Sequence, residues 1–183
     1  MTVANKLTFI RFALAFLFVL LHYIFWCEAI LPMTIIFIIA AITDFLDGYI
    51  ARKYNQVTKL GKLIDPLADK VLVFSALLLF VEMSIIPAWP VIIILSRDLM
   101  IGIFRAIAIG EGVVIAADIY GKAKTVVQLI SIIVLLVSMS FGNIFVDFCI
   151  SLLAIGKILI YVATILTVIS GVKYVKDNID ILK

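Results

Sequence analysis

Apolar residues fill six long runs separated by short charged stretches: Phe9 to Trp26, Leu31 to Tyr49, Lys70 to Ile86, Trp89 to Ile109, Thr125 to Phe141 and Leu152 to Val172. A bilayer-spanning helix needs ~20 mostly apolar residues, fewer where lysine or arginine reaches the interface from its ends, so each run predicts one transmembrane helix. The runs lack period-two alternation, which argues against the wall of a membrane β-barrel. The pattern predicts an all-α polytopic membrane protein, a single domain of six transmembrane helices over residues 1–183. Lys6 and Arg11 before the first run imitate a secretory signal, but Ile24, Phe25 and Trp26 are too bulky for a cleavage site, so the segment reads as a mature span. The mixed polarity of Thr2 to Arg11 predicts a short helix lying at the interface.

Composition agrees. The 183 residues are 66% hydrophobic and 15% charged, and the mean hydropathy is +1.30, which excludes an ordinary water-soluble enzyme. Threading six spans back and forth puts Lys6, Arg11, Arg52, Lys53, Lys59, Lys62, Lys70, Lys122, Lys124, Lys173, Lys176 and Lys183 on one side, and only Lys157 on the other. By the positive-inside rule the rich side is cytoplasmic, carrying both termini and the loops after the second and fourth spans. A net charge of +3 is too small to imply nucleic acid, and anionic membrane lipid is the simpler partner. Cys27 and Cys149 fall near the outer side and read as packing residues rather than a disulfide, with His22 near the same interface.

The stretch from Thr43 to Lys70, TDFLDGYIARKYNQVTKLGKLIDPLADK, breaks the apolar pattern. An ionised carboxylate at membrane depth costs roughly 2.5–3.5 kcal/mol even on the lenient insertion scale, so several together require compensation. Asp44, Asp47, Gly48 and Ala51 share one face of the second helix, and Asp65 and Asp69, preceded by Gly61, repeat that spacing where the third begins, with Pro66 placed in its first turn. Singly, each aspartate could be a helix cap or a partner for Lys62 or Lys70. Together, two such helix ends would converge four carboxylates, which suits a hard divalent cation, Mg²⁺ or Mn²⁺, that keeps positions free for water and substrate phosphates. Gly48 and Gly61 would let a bulky ligand approach the backbone, and Arg52 offers a planar fork for phosphate oxygens. The constellation reads as a metal-diphosphate site.

From Asp44 to Asp69 the residues read D-x2-D-G-x2-A-R-x8-G-x3-D-x3-D. This resembles the signature of the CDP-alcohol phosphotransferase family. NKLTFIR (Asn5, Thr8, Arg11), SRDLMIGIFR (Ser96 to Arg105) and GKAKT (Gly121 to Thr125) resemble its bacterial branch that uses glycerol 3-phosphate. The resemblance implies a six-helix membrane enzyme, commonly a homodimer, that takes CDP-diacylglycerol as donor and releases CMP in phospholipid biosynthesis. It further implies that Asp44, Asp47 and Asp65 hold metal ions, with Asp69 helping to hold a second or acting as general base. Asp44, Asp47, Gly48, Ala51, Arg52 and Gly61 would surround the CDP-diacylglycerol headgroup.

An acceptor that carries its own phosphate needs a second cationic patch. Arg97 and Arg105 share a helix face, and Lys122 and Lys124 follow in the next segment, although both lysines also suit ordinary membrane anchoring. Asp98 could pair with a neighbouring cation, and Arg11 could join the patch or the lipid headgroups. Gly102, Ala106 and Gly110 recur at four-residue spacing and allow close helix approach, in the bundle or at a dimer seam. The rival expectations are another acceptor such as serine, inositol phosphate or phosphatidylglycerol, a prenyltransferase, and a membrane transporter. A transporter would place its charges near the midplane, not at the ends of two spans.

Overall fold

A computed structural model describes the backbone of residues 3–25, 29–54, 59–110, 119–142 and 145–178, and the side chains of 9–25, 29–43, 70–105, 107–108, 119–142 and 145–177. Among the described residues the chain forms six α-helices and no strand: α1 (Val3–Phe25), α2 (Ile30–Tyr54), α3 (Lys59–Glu82), α4 (Ala88–Gly110), α5 (Ile119–Phe141) and α6 (Val146–Asn178). Two of them, α5 and α6, are long and apolar enough to cross a membrane. Shorter apolar helical stretches cover Phe9–Phe25 and Ile30–Thr43. Charged side chains shorten an apolar run without ending a helix, because lysine, arginine and glutamate are good helix formers. The second, fourth, fifth and sixth expected spans accordingly lie within helices longer than themselves; the first lies in α1 as far as Phe25, Trp26 being outside the described residues, and α3 stops before Ile86.

Three expectations are corrected by these boundaries. Thr2 to Arg11 does not form a separate interfacial helix, since Val3 onward is continuous with α1. Pro66 sits well inside α3, which begins at Lys59, so its missing N–H does remove one helical hydrogen bond. The end of α3 is set by a cap that the apolar pattern through Ile86 hid. Ser84 adopts φ 58°, its N–H donates to the Val81 carbonyl at 3.0 Å, and the Ile85 N–H donates to the Phe80 carbonyl at 2.9 Å. This is a Schellman ending with serine where glycine is usual, followed by Pro87.

The helices pack around Phe18 of α1, Phe37 of α2, Leu77 and Phe80 of α3, Ile94 of α4, Leu135 of α5 and Ile160 of α6, all buried. Outward the bundle is as apolar as inward: Phe16, Ile92, Ile103, Ile165 and Val172 are each 60% exposed or more. A surface of that kind belongs in hydrocarbon. The α5–α6 contact is the most intimate. Ser131 donates to the Gly156 carbonyl and Ser138 to the Cys149 carbonyl, both at 2.7 Å, and a Cβ on Gly156 would stand 2.6 Å from Leu135 Cδ2. Cys149 is a free, buried thiol. Cys27 lies outside the described residues.

At the end where α1 and α3 finish, the Tyr23 hydroxyl donates to Glu82 at 3.0 Å and His22 Nε2 lies 3.9 Å from the same carboxylate. His22 is buried in the bundle rather than spread on its surface. Trp89 stacks on Tyr161 with centroids 5.6 Å apart while remaining half exposed.

Candidate active site

The candidate site residues lie toward the end where α3 and α5 begin and α4 and α6 approach their C-termini. The side chains of Asp44, Asp47, Gly48, Ala51, Arg52, Gly61, Asp65 and Asp69 lie outside the described residues. Their backbone does not: the first five are in α2 and the last three in α3. In continuous helices the offsets of three and four place Asp44, Asp47, Gly48 and Ala51 on one face, and Asp65 with Asp69 on another.

Asp69 is followed by Lys70, which ties the middle of α3 to the middle of α4. The Lys70 ammonium donates to the Asp98 backbone carbonyl at 2.9 Å, in space left by Gly102, where a Cβ would stand 3.0 Å from Nζ. Gly102 thus admits a lysine side chain instead of a helix backbone. Ala106 and Gly110 have side-chain positions outside the described residues. The Asp98 carboxylate is shared between two cations. Its Oδ1 accepts from Arg97 Nη1 at 3.0 Å and its Oδ2 from Lys124 Nζ at 2.6 Å. One carboxylate, three cations and four helices meet here once Arg97 Nη2 donates to the Ser170 hydroxyl of α6 at 2.8 Å.

Beside this junction opens a pocket of about 340 Å³ lined by Arg97, Arg105, Gly121, Lys122, Thr125, Val126 and Tyr174. Three of the four cations expected to bind a phosphate therefore line one pocket. The fourth, Lys124, points away into the bundle, 2% exposed and paired with Asp98. Arg105 lies over the Tyr174 ring at 5.8 Å, and Phe104 meets that ring edge-on. The Nε–H groups of Arg97 and Arg105 are buried and have no acceptor among the described residues. A buried guanidinium N–H without an acceptor carries a desolvation cost that an anion entering the pocket would offset. Arg11 is 1% exposed, which places it within the bundle and not among lipid headgroups.

The residue-level signal was strong for Arg97 and Arg105 and absent for their neighbours. Ser170 and Gly171 are two small residues in a long apolar helix, and Tyr174 looks like an interfacial aromatic. Only the approach of α6 to α4 brings Tyr174 into the pocket lining and sets Ser170 and Gly171 against the Arg97 side chain.

The family model for CDP-alcohol phosphatidyltransferase matches residues 1–169. The chain is similar to the CDP-diacylglycerol--glycerol-3-phosphate 3-phosphatidyltransferase of Bacillus subtilis, at 38% identity over 98% of this chain and 96% of the relative. It is similar at 35% to the protein of that name from Rickettsia bellii, over 94% of this chain and 92% of the relative. The Haemophilus influenzae protein of that name is 38% identical, over 96% of each. Over nearly its whole length, with the eight-position aspartate motif intact, the chain belongs to the CDP-alcohol phosphatidyltransferase family.

Proposed function

We propose that this chain transfers the phosphatidyl group from CDP-diacylglycerol to glycerol 3-phosphate, giving phosphatidylglycerol phosphate and CMP. The observation that carries the acceptor assignment is the pocket itself. Arg97, Arg105 and Lys122 bring three positive charges to a cavity whose described lining includes no carboxylate, and two of its guanidinium N–H groups have no acceptor among the described residues. A phosphate monoester fits that chemistry, and the names of the relatives supply which one.

In this reading the acceptor's primary hydroxyl attacks the phosphatidyl phosphorus, the bond to CMP breaks, and the hydroxyl proton passes to Asp69. A carboxylate is a competent base when it lies within hydrogen-bond reach of that hydroxyl. Asp69 precedes Lys70, whose ammonium reaches the Asp98 backbone carbonyl, which supports reading the motif and the cationic pocket as parts of one site. Gly48, Ala51, Arg52 and Gly61 would receive the cytidine diphosphate. The donor set formed by Asp44, Asp47, Asp65 and Asp69, oxygen ligands only, fits Mg²⁺ or Mn²⁺. When bound, such ions supply charge neutralisation at the diphosphate.

All six helices would span the bilayer of the cell membrane, with the site and both termini on the cytoplasmic side, as the lysine and arginine distribution argues. A homodimer in contact with membrane lipid is the assembly expected of such a chain. The decisive experiment is CMP release by the purified protein in detergent with CDP-diacylglycerol and Mg²⁺ or Mn²⁺. Release that requires glycerol 3-phosphate is the expected result. Equal release with serine or inositol phosphate would move the acceptor, and no release from folded protein under any condition would remove the assignment.

A further inference from the structure

Arg97 stands apart from the other pocket cations in how firmly it is held. Its side chain passes between two helices at glycines: a Cβ on Gly171 of α6 would stand 3.2 Å from Arg97 Cγ, and one on Gly121 of α5 would stand 3.0 Å from Nη2. Both Nη atoms already donate, Nη1 to Asp98 and Nη2 to Ser170. Each acceptor is itself fixed by a further partner. The Ser170 hydroxyl donates its own proton to the Thr167 carbonyl at 3.1 Å, which leaves its lone pairs for Arg97. The second Asp98 oxygen is occupied by Lys124. Ser170 is fully buried and Lys124 nearly so, so neither belongs to the surface that an acceptor touches. Arg105, by contrast, rests on an aromatic ring, and Lys122 is exposed at the rim.

We infer that Asp98, Ser170 and Gly171 are positioning residues that aim the Arg97 guanidinium at the acceptor's phosphate, and that this fixed fork sets the preference for a phosphorylated alcohol. Lys124 is on this account the counter-charge of Asp98 and no ligand of the acceptor. A guanidinium presents its donors in a planar fork, so its orientation, and not only its charge, decides how a phosphate is held. Less is lost on binding when that orientation is set beforehand. The inference rests on the phosphate reading of the pocket.

The test is steady-state kinetics of CMP release with acceptor and donor varied separately. Ser170→Ala is expected to raise the acceptor KM about tenfold while kcat and the donor KM stay within about twofold, and Ser170→Thr, which keeps the hydroxyl, to return the acceptor KM to near wild type. Gly171→Ala, which crowds Arg97 Cγ without removing a polar group, is expected to move the same parameter and covers the case in which Ser170→Ala does not fold. An unchanged acceptor KM in the folded variants, or equal losses in donor and acceptor parameters, would overturn the positioning role. Arg97→Ala separates the two readings. If it raises the acceptor KM and the Ser170 and Gly171 variants do not, the slot alone fails. If it leaves the acceptor KM unchanged, the phosphate pocket and the slot fail together.

Discussion

The α5–α6 seam and the junction around Asp98 face the same difficulty, polar atoms inside an apolar bundle, and meet it in opposite ways. At the seam the helices come so close that Gly156 has no room for a Cβ, and the polar atoms are two serine hydroxyls bonded straight to backbone carbonyls of the other helix. At the junction α3, α4, α5 and α6 are bridged by long cationic side chains that bond to the Asp98 carboxylate, the Asp98 backbone carbonyl and the Ser170 hydroxyl. Short polar groups let backbones come close. Long charged ones hold helices apart, and the pocket opens beside them. The bundle therefore sets a seam of close packing apart from a junction of paired charges beside a pocket lined by Arg97, Arg105 and Lys122.

The largest effect should come from breaking the junction. Asp98→Ala leaves the buried Lys124 ammonium and one Arg97 donor without their carboxylate, and removing one member of a buried ion pair costs roughly 3–5 kcal/mol. Thermal unfolding in detergent should show a correspondingly large drop. The double variant Asp98→Ala, Lys124→Met should recover much of it, because a buried pair exchanged for apolar groups is often near neutral. A double variant no more stable than the single one would mean that paired charge is not what holds these helices.

The seam should fail through volume instead. Gly156→Ala places a methyl 2.6 Å from Leu135 Cδ2, and such overpacking costs roughly 1–3 kcal/mol. Trimming the neighbour in Gly156→Ala, Leu135→Val should relieve part of that loss, giving a coupling of at least about 0.5 kcal/mol between the two sites in a double-mutant cycle. Strict additivity would contradict the close approach.

How much of this was legible beforehand differs between the two regions. The helices were readable because long apolar runs leave few alternatives, and the aspartate motif because intramembrane carboxylates at helical spacing are too costly to be incidental. Arg97 and Arg105 were readable as one face by the same periodicity. Gly156 was not, since one glycine in an apolar helix gives no hint of which residue approaches it. Lys124 parts from Lys122 for a physical reason: the two stand only two residues apart, but helical residues at that offset face about 200° apart, and here one reaches the pocket rim while the other turns inward to Asp98. Ser84 escaped notice because a left-handed helix ending ordinarily announces itself with glycine.

On the pocket side of the junction, Arg105→Ala tests function with little demand on stability. Its contact with Tyr174 at 5.8 Å is worth about 0.5–1 kcal/mol where partly exposed, so the melting temperature should move little. The acceptor KM should rise about tenfold, corresponding to the loss of ~1.4 kcal/mol of binding, while the donor KM holds. Equal increases in both would mean that Arg105 serves the donor or the scaffold, and the contrast between packed seam and charged junction would need redrawing.

The smallest effect belongs to the seam's hydroxyls. Ser138→Ala removes a 2.7 Å hydrogen bond to the Cys149 carbonyl, yet that carbonyl is at a helix's first turns and keeps its own helical partners, and side-chain hydrogen bonds between membrane helices average only ~0.6 kcal/mol. The alanine methyl fits the space the hydroxymethyl occupied, so no cavity of consequence forms. The expected change in unfolding is therefore several times smaller than that of Asp98→Ala, measured under the same conditions. The comparison depends on that ratio: hydroxyls at the seam fit helices that already touch through glycine and leucine, whereas Asp98 holds together cations that would otherwise repel. A Ser138→Ala loss as large as that of Asp98→Ala would make hydrogen bonding, not close packing, the cause of the α5–α6 contact.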